Sequence, residues 1–269
     1  MKALIVNDDG IDSPGLAALA RVAVAAGLDV QVAAPHIERS GASAALSALE
    51  DDGKLKVSRR SMPELPDVDV LAVHASPALI TFVASYGAFG DTPDLVLSGI
   101  NLGPNTGRAI LHSGTVGAAL TAAAHGARAV ALSLNASDPS SWETAEYIAE
   151  RAVRWSMEHG EPGEVLNVNI PDVPVEELHG LREAQLAEFG AVQAEISDSD
   201  EDYDDQYDDD DTRTVTMSFK AIDIHGPDDT DAVLLSRGWA TATVLQMPFE
   251  MAGSDLGDLG FSRDGVSPS

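Results

Sequence analysis

Short apolar runs alternate with amphipathic stretches along most of the chain. Ala3–Val6 is apolar at every position, the pattern of a strand buried on both faces. Ser13-Pro14 then gives an N-cap followed by proline at the first helical position. Leu16, Leu19, Val22, Ala23 and Ala26 share one helical face, and Gly27 closes the helix. Val30–Ala34, Val68–Val73, Leu95–Leu97, Ala129–Leu134 and Val165–Ile170 read as further strands. Between them, helices are predicted from about Pro77 to Tyr86, from about Thr115 to His125 and over Ser140–His159. Strands that alternate with helices imply an α/β protein with a doubly wound, mostly parallel sheet. Ligands of such a sheet bind beyond the carboxyl ends of its strands.

After about residue 172 the pattern changes. Ala191–Ile196 and Thr212–Phe219 read as the arms of a β-hairpin around an acidic loop, 198–211. Asp228–Gln246 reads as a short helix and a strand that returns to the main body. The expected organisation is an α/β core over 1–172, an extension over 173–247, and a frayed Gly/Asp/Ser-rich tail over 248–269.

Composition narrows the chemistry. The 269 residues are 44% hydrophobic, enough for one large core. No apolar stretch approaches the roughly 20 residues a membrane span needs. The N-terminus turns polar at Asn7 and reads as a first strand, not as a signal peptide, which points to the cytoplasm. Without cysteine there is no thiol nucleophile and no thiolate metal site, so a metal must take oxygen or imidazole ligands. The formal net charge is −28, from 44 acids and 16 bases, of which only Lys2, Lys54, Lys56 and Lys220 are lysines. The acidity is spread beyond the loop and fits a halophile's cytoplasm, where salt screens self-repulsion. It argues against duplex nucleic acid and anionic membranes as partners, since both require basic surface.

The polar residues fall at strand ends. The first strand runs into Asn7-Asp8-Asp9-Gly10, the second into Pro35-His36-Ile37-Glu38-Arg39-Ser40-Gly41-Ala42-Ser43, and the fourth into Ser98-Gly99-Ile100-Asn101-Leu102-Gly103. Adjacent carboxylates repel each other unless a cation is near, and Asp, Ser and Asn oxygens suit Mg²⁺, Mn²⁺ or Ca²⁺ more than Zn²⁺. Gly10, Gly41 and Gly99 allow close backbone approach. Taken alone, Asp8-Asp9 would equally serve as a turn or helix cap. His112-Ser113-Gly114-Thr115-Val116-Gly117 opens a helix and reads either as a phosphate cradle or as an ordinary N-cap. The chain has no P-loop, no dinucleotide glycine spacing and no Gly-x-Ser-x-Gly elbow.

Together these segments resemble the SurE (survival protein E) family of 5'/3'-nucleotidases. The resemblance rests on Asn7-Asp8-Asp9-Gly10-Ile11, Pro14-Gly15-Leu16, Arg39-Ser40-Gly41-Ala42-Ser43, Ser98-Gly99-Ile100-Asn101-Leu102-Gly103 and Ser113-Gly114-Thr115-Val116-Gly117. Leu166-Asn167-Val168-Asn169-Ile170-Pro171 and Thr230-Asp231 with Gly238-Trp239 are similar to the family's later landmarks. The resemblance implies a Rossmann-like domain with a C-terminal hairpin and swapped segment that build a homodimer or homotetramer. It implies one Mg²⁺ or Mn²⁺ per subunit on Asp8, Asp9, Ser40 and Asn101, and hydrolysis of nucleoside 5'- and 3'-monophosphates. Asp8, Asp9 and Asn101 are then the catalytic residues. Asn7, Gly41, Ser43, Ser113, Gly114 and Thr115 are the expected substrate contacts. The chain departs from the family pattern at His36, at Ala75-Ser76-Pro77-Ala78-Leu79, where an acid is lost, and at Ala44-Ala45-Leu46-Ser47. His36 is expected at the second shell or surface, and His74, His125 and His225 are expected to be structural.

Two other readings share these residues: a nucleotide-binding regulatory module without turnover, and an interaction protein working through its acidic loop. Whatever the function, a self-repelling surface should gain stability from salt. Melting temperature is expected to rise with KCl between about 0.2 and 2 M, where the Debye length is already a few Å, and a flat or falling curve would contradict this.

Overall fold

Residues 1–39, 41–48, 54–140, 142–188, 192–198, 215–221 and 226–246 are described by a computed structural model of the chain. Alternation within the first strand divides the core. In β1 (Lys2–Val6), Ala3 and Ile5 join an apolar cluster on one face of the sheet, while Leu4 and Val6 join a second on the other. A strand sandwiched in this way must be apolar throughout.

The chain continues through α1 (Pro14–Ala25), β2 (Asp29–Pro35), β3 (Val57–Arg60), β4 (Asp69–Val73), α2 (Pro77–Ala84), β5 (Leu95–Leu102), α3 (Gly114–Ala124), β6 (Arg128–Asn135), α4 (Trp142–Glu158) and β7 (Glu164–Pro171). Then follow β8 (Leu181–Glu183), β9 (Val192–Asp198), β10 (Val215–Ala221), α5 (Asp231–Ser236) and β11 (Ala240–Gln246). The main sheet has the order β3-β4-β2-β1-β5-β6-β7-β11-β8. Strands β4, β2, β1, β5, β6 and β7 are mutually parallel. Helices α1 and α4 pack against each other, as do α2 and α3, and the two pairs belong to the two clusters on opposite faces of the sheet. This is the doubly wound architecture expected from the alternation.

Two strands escaped the pattern. β3 pairs antiparallel with β4 at one edge and exposes three of its four residues. β8 has three residues, all exposed. Neither carries the apolar signal on which strand prediction depends. β9 and β10 form the expected hairpin, with Val192 opposite Ala221 and Asp198 opposite Val215. The 199–211 portion of the acidic loop, the 247–269 tail and His225 lie outside the described residues. β11 returns to the main sheet antiparallel to β7, with Thr241 opposite Asn169 and Gln246 opposite Glu164.

One local expectation is corrected. Ser13 occupies the N-cap position of α1, but its side chain makes no capping bond, and its buried Oγ has no hydrogen-bond partner. Pro14 starts the helix through its fixed φ alone. The helix lies so close to the end of β5 that a Cβ on Gly15 would stand 2.1 Å from the Ile100 carbonyl oxygen. The Gly99–Ile100 peptide is cis.

Candidate active site

The strand order reverses between β1 and β5, since β1 connects toward β2 on one side while β5 connects toward β6 on the other. The crevice at such a switch point is where doubly wound sheets bind ligands. Asp8 and Asp9 follow β1 there, and Asn101 lies at the end of β5. Leu102 N–H donates to Asp9 Oδ2 at 3.3 Å, tying the two strand ends together.

The turn after β1 is built by Asn7. Its Nδ2 donates to Gly10 O and its Oδ1 accepts from Gly10 N, each at 3.2 Å. Gly10 adopts φ +100°, which a side chain would strain, and a Cβ there would fall 3.2 Å from the Ile37 carbonyl carbon. Asn7 is fully buried and its amide is spent on this turn, so it shapes the loop. The loop after β2 closes over the same turn: Ile11 N–H donates to Pro35 O at 2.8 Å and Arg39 N–H to Asp8 O at 2.7 Å.

Helix α3 was expected to offer its N-terminus to a phosphate. Its occupant is Asp8. Thr115 Oγ1 donates to Asp8 Oδ1 at 2.5 Å, and the Thr115 backbone N–H also bonds this carboxylate. Gly114 presses on it so closely that a Cβ would stand 2.7 Å from Asp8 Oδ2. Ser113 Oγ accepts from Val116 N–H at 3.1 Å, an ordinary N-cap. Gly114 and Thr115 thus seat a carboxylate of the protein itself, while the Ser113 hydroxyl caps the helix. The reason is physical: a helix N-terminus stabilises whichever anion reaches it, and Asp8 is covalently delivered there.

Asp8 is only 4% exposed. Burial pushes its pKa up, opposed by the bonds from Thr115, and the Glu38 charge adds to the rise. Asp9 is pushed up to about 7 by burial first, then by the charge of Asp8 and, more weakly, of Glu38. Glu38 is thus a third acid acting on the pair, missed in the sequence because it sits mid-loop among ordinary surface residues. Among the described residues, no lysine, arginine or histidine forms an ion pair with Asp8 or Asp9. Two crowded carboxylates without a cationic partner fit a metal ion. No cluster of three or more His, Asp or Glu suited to a metal is present among the described residues, so a metal held here would need neutral oxygens to complete its shell. Asn101 suits that role: its Nδ2 donates to Gly103 O at 2.7 Å, leaving Oδ1 for a cation.

Ser40, the fourth expected ligand, lies outside the described residues. Its neighbour Gly41 is exposed at φ +75°. Ser43, at φ +53°, donates from Oγ to Leu111 O at 2.6 Å. His36 stacks on His74 with ring centroids 3.6 Å apart and planes 3° from parallel, at the ends of β2 and β4. His125 packs edge-on to Phe82 and Tyr86, away from the crevice, as a structural residue.

The family model for survival protein SurE matches residues 3–192, most of the chain. The chain belongs to the SurE family. Among its SurE relatives, the 5'-nucleotidase SurE of Pseudomonas putida is 37% identical over 187 residues, 69% of this chain and 71% of the relative. The 5'/3'-nucleotidase SurE of Yersinia enterocolitica is 30% identical over 256 residues, 94% of each chain, and so extends past β11. The crystal structure of the SurE protein from Aquifex aeolicus superposes with a TM-score of 0.73 at 28% identity, covering 93% of this chain and 95% of that one. The SurE match bears out the resemblance seen in the motifs, and the sheet bears out the α/β class.

The raised pKa values make a signed prediction. A carboxyl with a folded pKa above its ordinary 3.8 binds its proton more tightly in the native state, so its contribution to stability is full below about pH 4. That contribution is lost as pH rises through about 7. In cation-free protein at constant high salt, Asp9→Asn is expected to gain stability over the parent across that window, by an amount on the order of a few kcal/mol. Unfolding curves of both proteins from pH 4 to 8 check this, and a difference that does not change with pH would contradict it.

Proposed function

We propose that this chain is a divalent-cation-dependent phosphomonoesterase that hydrolyses nucleoside 5'- and 3'-monophosphates to nucleoside and phosphate. The observation that carries the reading is the pair of crowded, unneutralised carboxylates at the switch point, joined to Asn101 through the Asp9–Leu102 bond. The nucleotidase names of the SurE relatives supply the substrate class.

Asp8, Asp9, Asn101 and Ser40 would hold one Mg²⁺ or Mn²⁺. The bound cation supplies charge neutralisation for the phosphoryl group in transfer. Asp8 has one oxygen committed to Thr115 and is almost inaccessible, so it serves as an anchored ligand and not as a nucleophile. Asp9 is the more open of the two and is suited to orient the attacking water and accept its proton. Water attacks phosphorus and gives its proton to Asp9, the ester P–O bond breaks, and the leaving oxygen takes up that proton or one from solvent so that the nucleoside departs as an alcohol. The exposed Gly41 N–H and the Ser43 region lie on the loop that closes over this turn and are suited to phosphate oxygens.

The protein is further proposed to act in the cytoplasm as a homodimer or homotetramer. An apolar surface supports assembly: Trp155, Leu181 and Val244 are exposed around a groove of about 500 Å³ between α4 and the β7-β11-β8 edge. No helix among the described residues is long and apolar enough to cross a membrane.

Phosphate release from a panel of nucleoside monophosphates is expected with Mg²⁺ or Mn²⁺ and not with EDTA. Full activity after exhaustive chelation would remove the cation, while nucleotide binding without turnover would favour a regulatory module. A second expectation concerns Gly114→Ala. A methyl at this first position of α3 would displace Asp8 from its donors. The folded fraction of the variant should lose at least about tenfold in kcat. Unchanged turnover would show that Asp8 need not be seated where it is.

A further inference from the structure

Two asparagines on a buried central strand call for an explanation. Asn167 and Asn169 on β7 are each 1% exposed, at positions where a sandwiched strand ordinarily carries aliphatic side chains. Burying a carboxamide is unfavourable unless its hydrogen bonds are remade. Here they are remade on one residue of a distant loop. Asn105 N–H donates to Asn169 Oδ1 at 2.7 Å, and Asn105 O accepts from Asn169 Nδ2 at 2.9 Å and from Asn167 Nδ2 at 3.0 Å. The Asn105 side chain donates from Nδ2 to Ser133 Oγ on β6 at 2.7 Å. Asn167 Oδ1 alone is left buried without a partner.

The loop so gripped bears on the site at both ends. Two residues before Asn105, Gly103 O receives the Asn101 amide. Beyond it, the 3₁₀ turn Gly107–His112 presents Leu111 O to Ser43 and runs into the cap of α3. We propose that Asn169 and Asn167 are positioning residues: by holding the backbone of Asn105 they fix the loop that orients Asn101 at the site and braces Ser43 through Leu111. The inference rests on the phosphatase reading for its kinetic consequence, but not for its structural one.

The hydrogen bonds separate the roles of the partners. Asn169→Leu removes two bonds to the loop backbone, whereas Asn105→Ala and Ser133→Ala remove only the side-chain bond. Each variant is compared with the parent by steady-state kinetics on a nucleoside monophosphate, by inhibition with inorganic phosphate, and by amide hydrogen exchange. Asn169→Leu should raise KM and weaken phosphate inhibition by roughly tenfold or more, with faster exchange confined to residues 101–113. Asn105→Ala and Ser133→Ala should change each by less than about threefold, since one neutral hydrogen bond is lost.

Uniformly faster exchange in Asn169→Leu, with KM and phosphate inhibition of the folded fraction unchanged, would reduce Asn169 to a core stabiliser and overturn the proposal. So would Asn105→Ala as damaging as Asn169→Leu, which would make the Asn105 side chain itself a substrate contact. If Asn169→Leu fails to fold, Asn167→Leu replaces it and should show the same local exchange signature; its absence overturns the proposal. Should the parent protein hydrolyse nothing, the functional reading fails while phosphate binding and the exchange pattern still judge the clamp.

Discussion

The site depends on one buried charge. Asp8 is carried by β1 into the first turn of α3, where the Thr115 hydroxyl and backbone N–H bind it and Gly114 leaves just enough room. A carboxylate removed from water is unfavourable unless donors and positive potential surround it, and a helix N-terminus supplies both. That supply is incomplete, since burial still drives the pKa of Asp8 upward. The remaining imbalance falls on Asp9, whose proton is held to about pH 7 by burial and by its neighbour's charge. A cation beside the pair would relieve both at once.

Holding it there demands close packing of backbone on backbone. A Cβ on Gly117 would stand 2.4 Å from the Ser43 carbonyl oxygen, and one on Gly99 would stand 2.3 Å from that of Leu132. With Gly15 against Ile100, these contacts bring α3 against the β2 loop, β5 against β6, and α1 against the end of β5. Each glycine is a place where two pieces of main chain meet with no side chain between them. The loops that frame the crevice are set by such contacts, and so is the spacing of Asp8, Asp9 and Asn101.

Much of this was legible in the sequence, for a reason that also marks the limit. Buried parallel strands advertise themselves as unbroken apolar runs, and where such a run stops at Asn7-Asp8-Asp9 or at Asn101, the strand ends and the crevice begins. Side-chain partners are not advertised. Ser113-Gly114-Thr115 has the composition of a phosphate cradle, and nothing local says that an aspartate from residue 8 fills it first. Asn7 looks like a ligand-facing polar residue, yet its amide closes a turn three positions away. Glu38 reads as surface because its influence on Asp8 and Asp9 is through space. Edge strands β3 and β8 gave no signal because, exposed, they need no apolar pattern. The asparagines of β7 stood out in the sequence as a landmark without a role, since their partner lies more than sixty residues earlier.

The order of synthesis gives one of these links a further meaning. Asp231, at the start of α5, accepts from Gly107 N–H at 2.8 Å, from Ala187 N–H at 2.9 Å and from Ala232 N–H at 2.7 Å. The loop beside the crevice is therefore fastened by a residue 124 positions further along the chain. At a ribosomal pace of roughly 5–20 residues per second, Gly107 waits on the order of ten seconds for that partner to be made. In the interval the 107–112 turn has no Asp231 to hold it. The wall beside the crevice is therefore fastened late in synthesis, once α5 has been made.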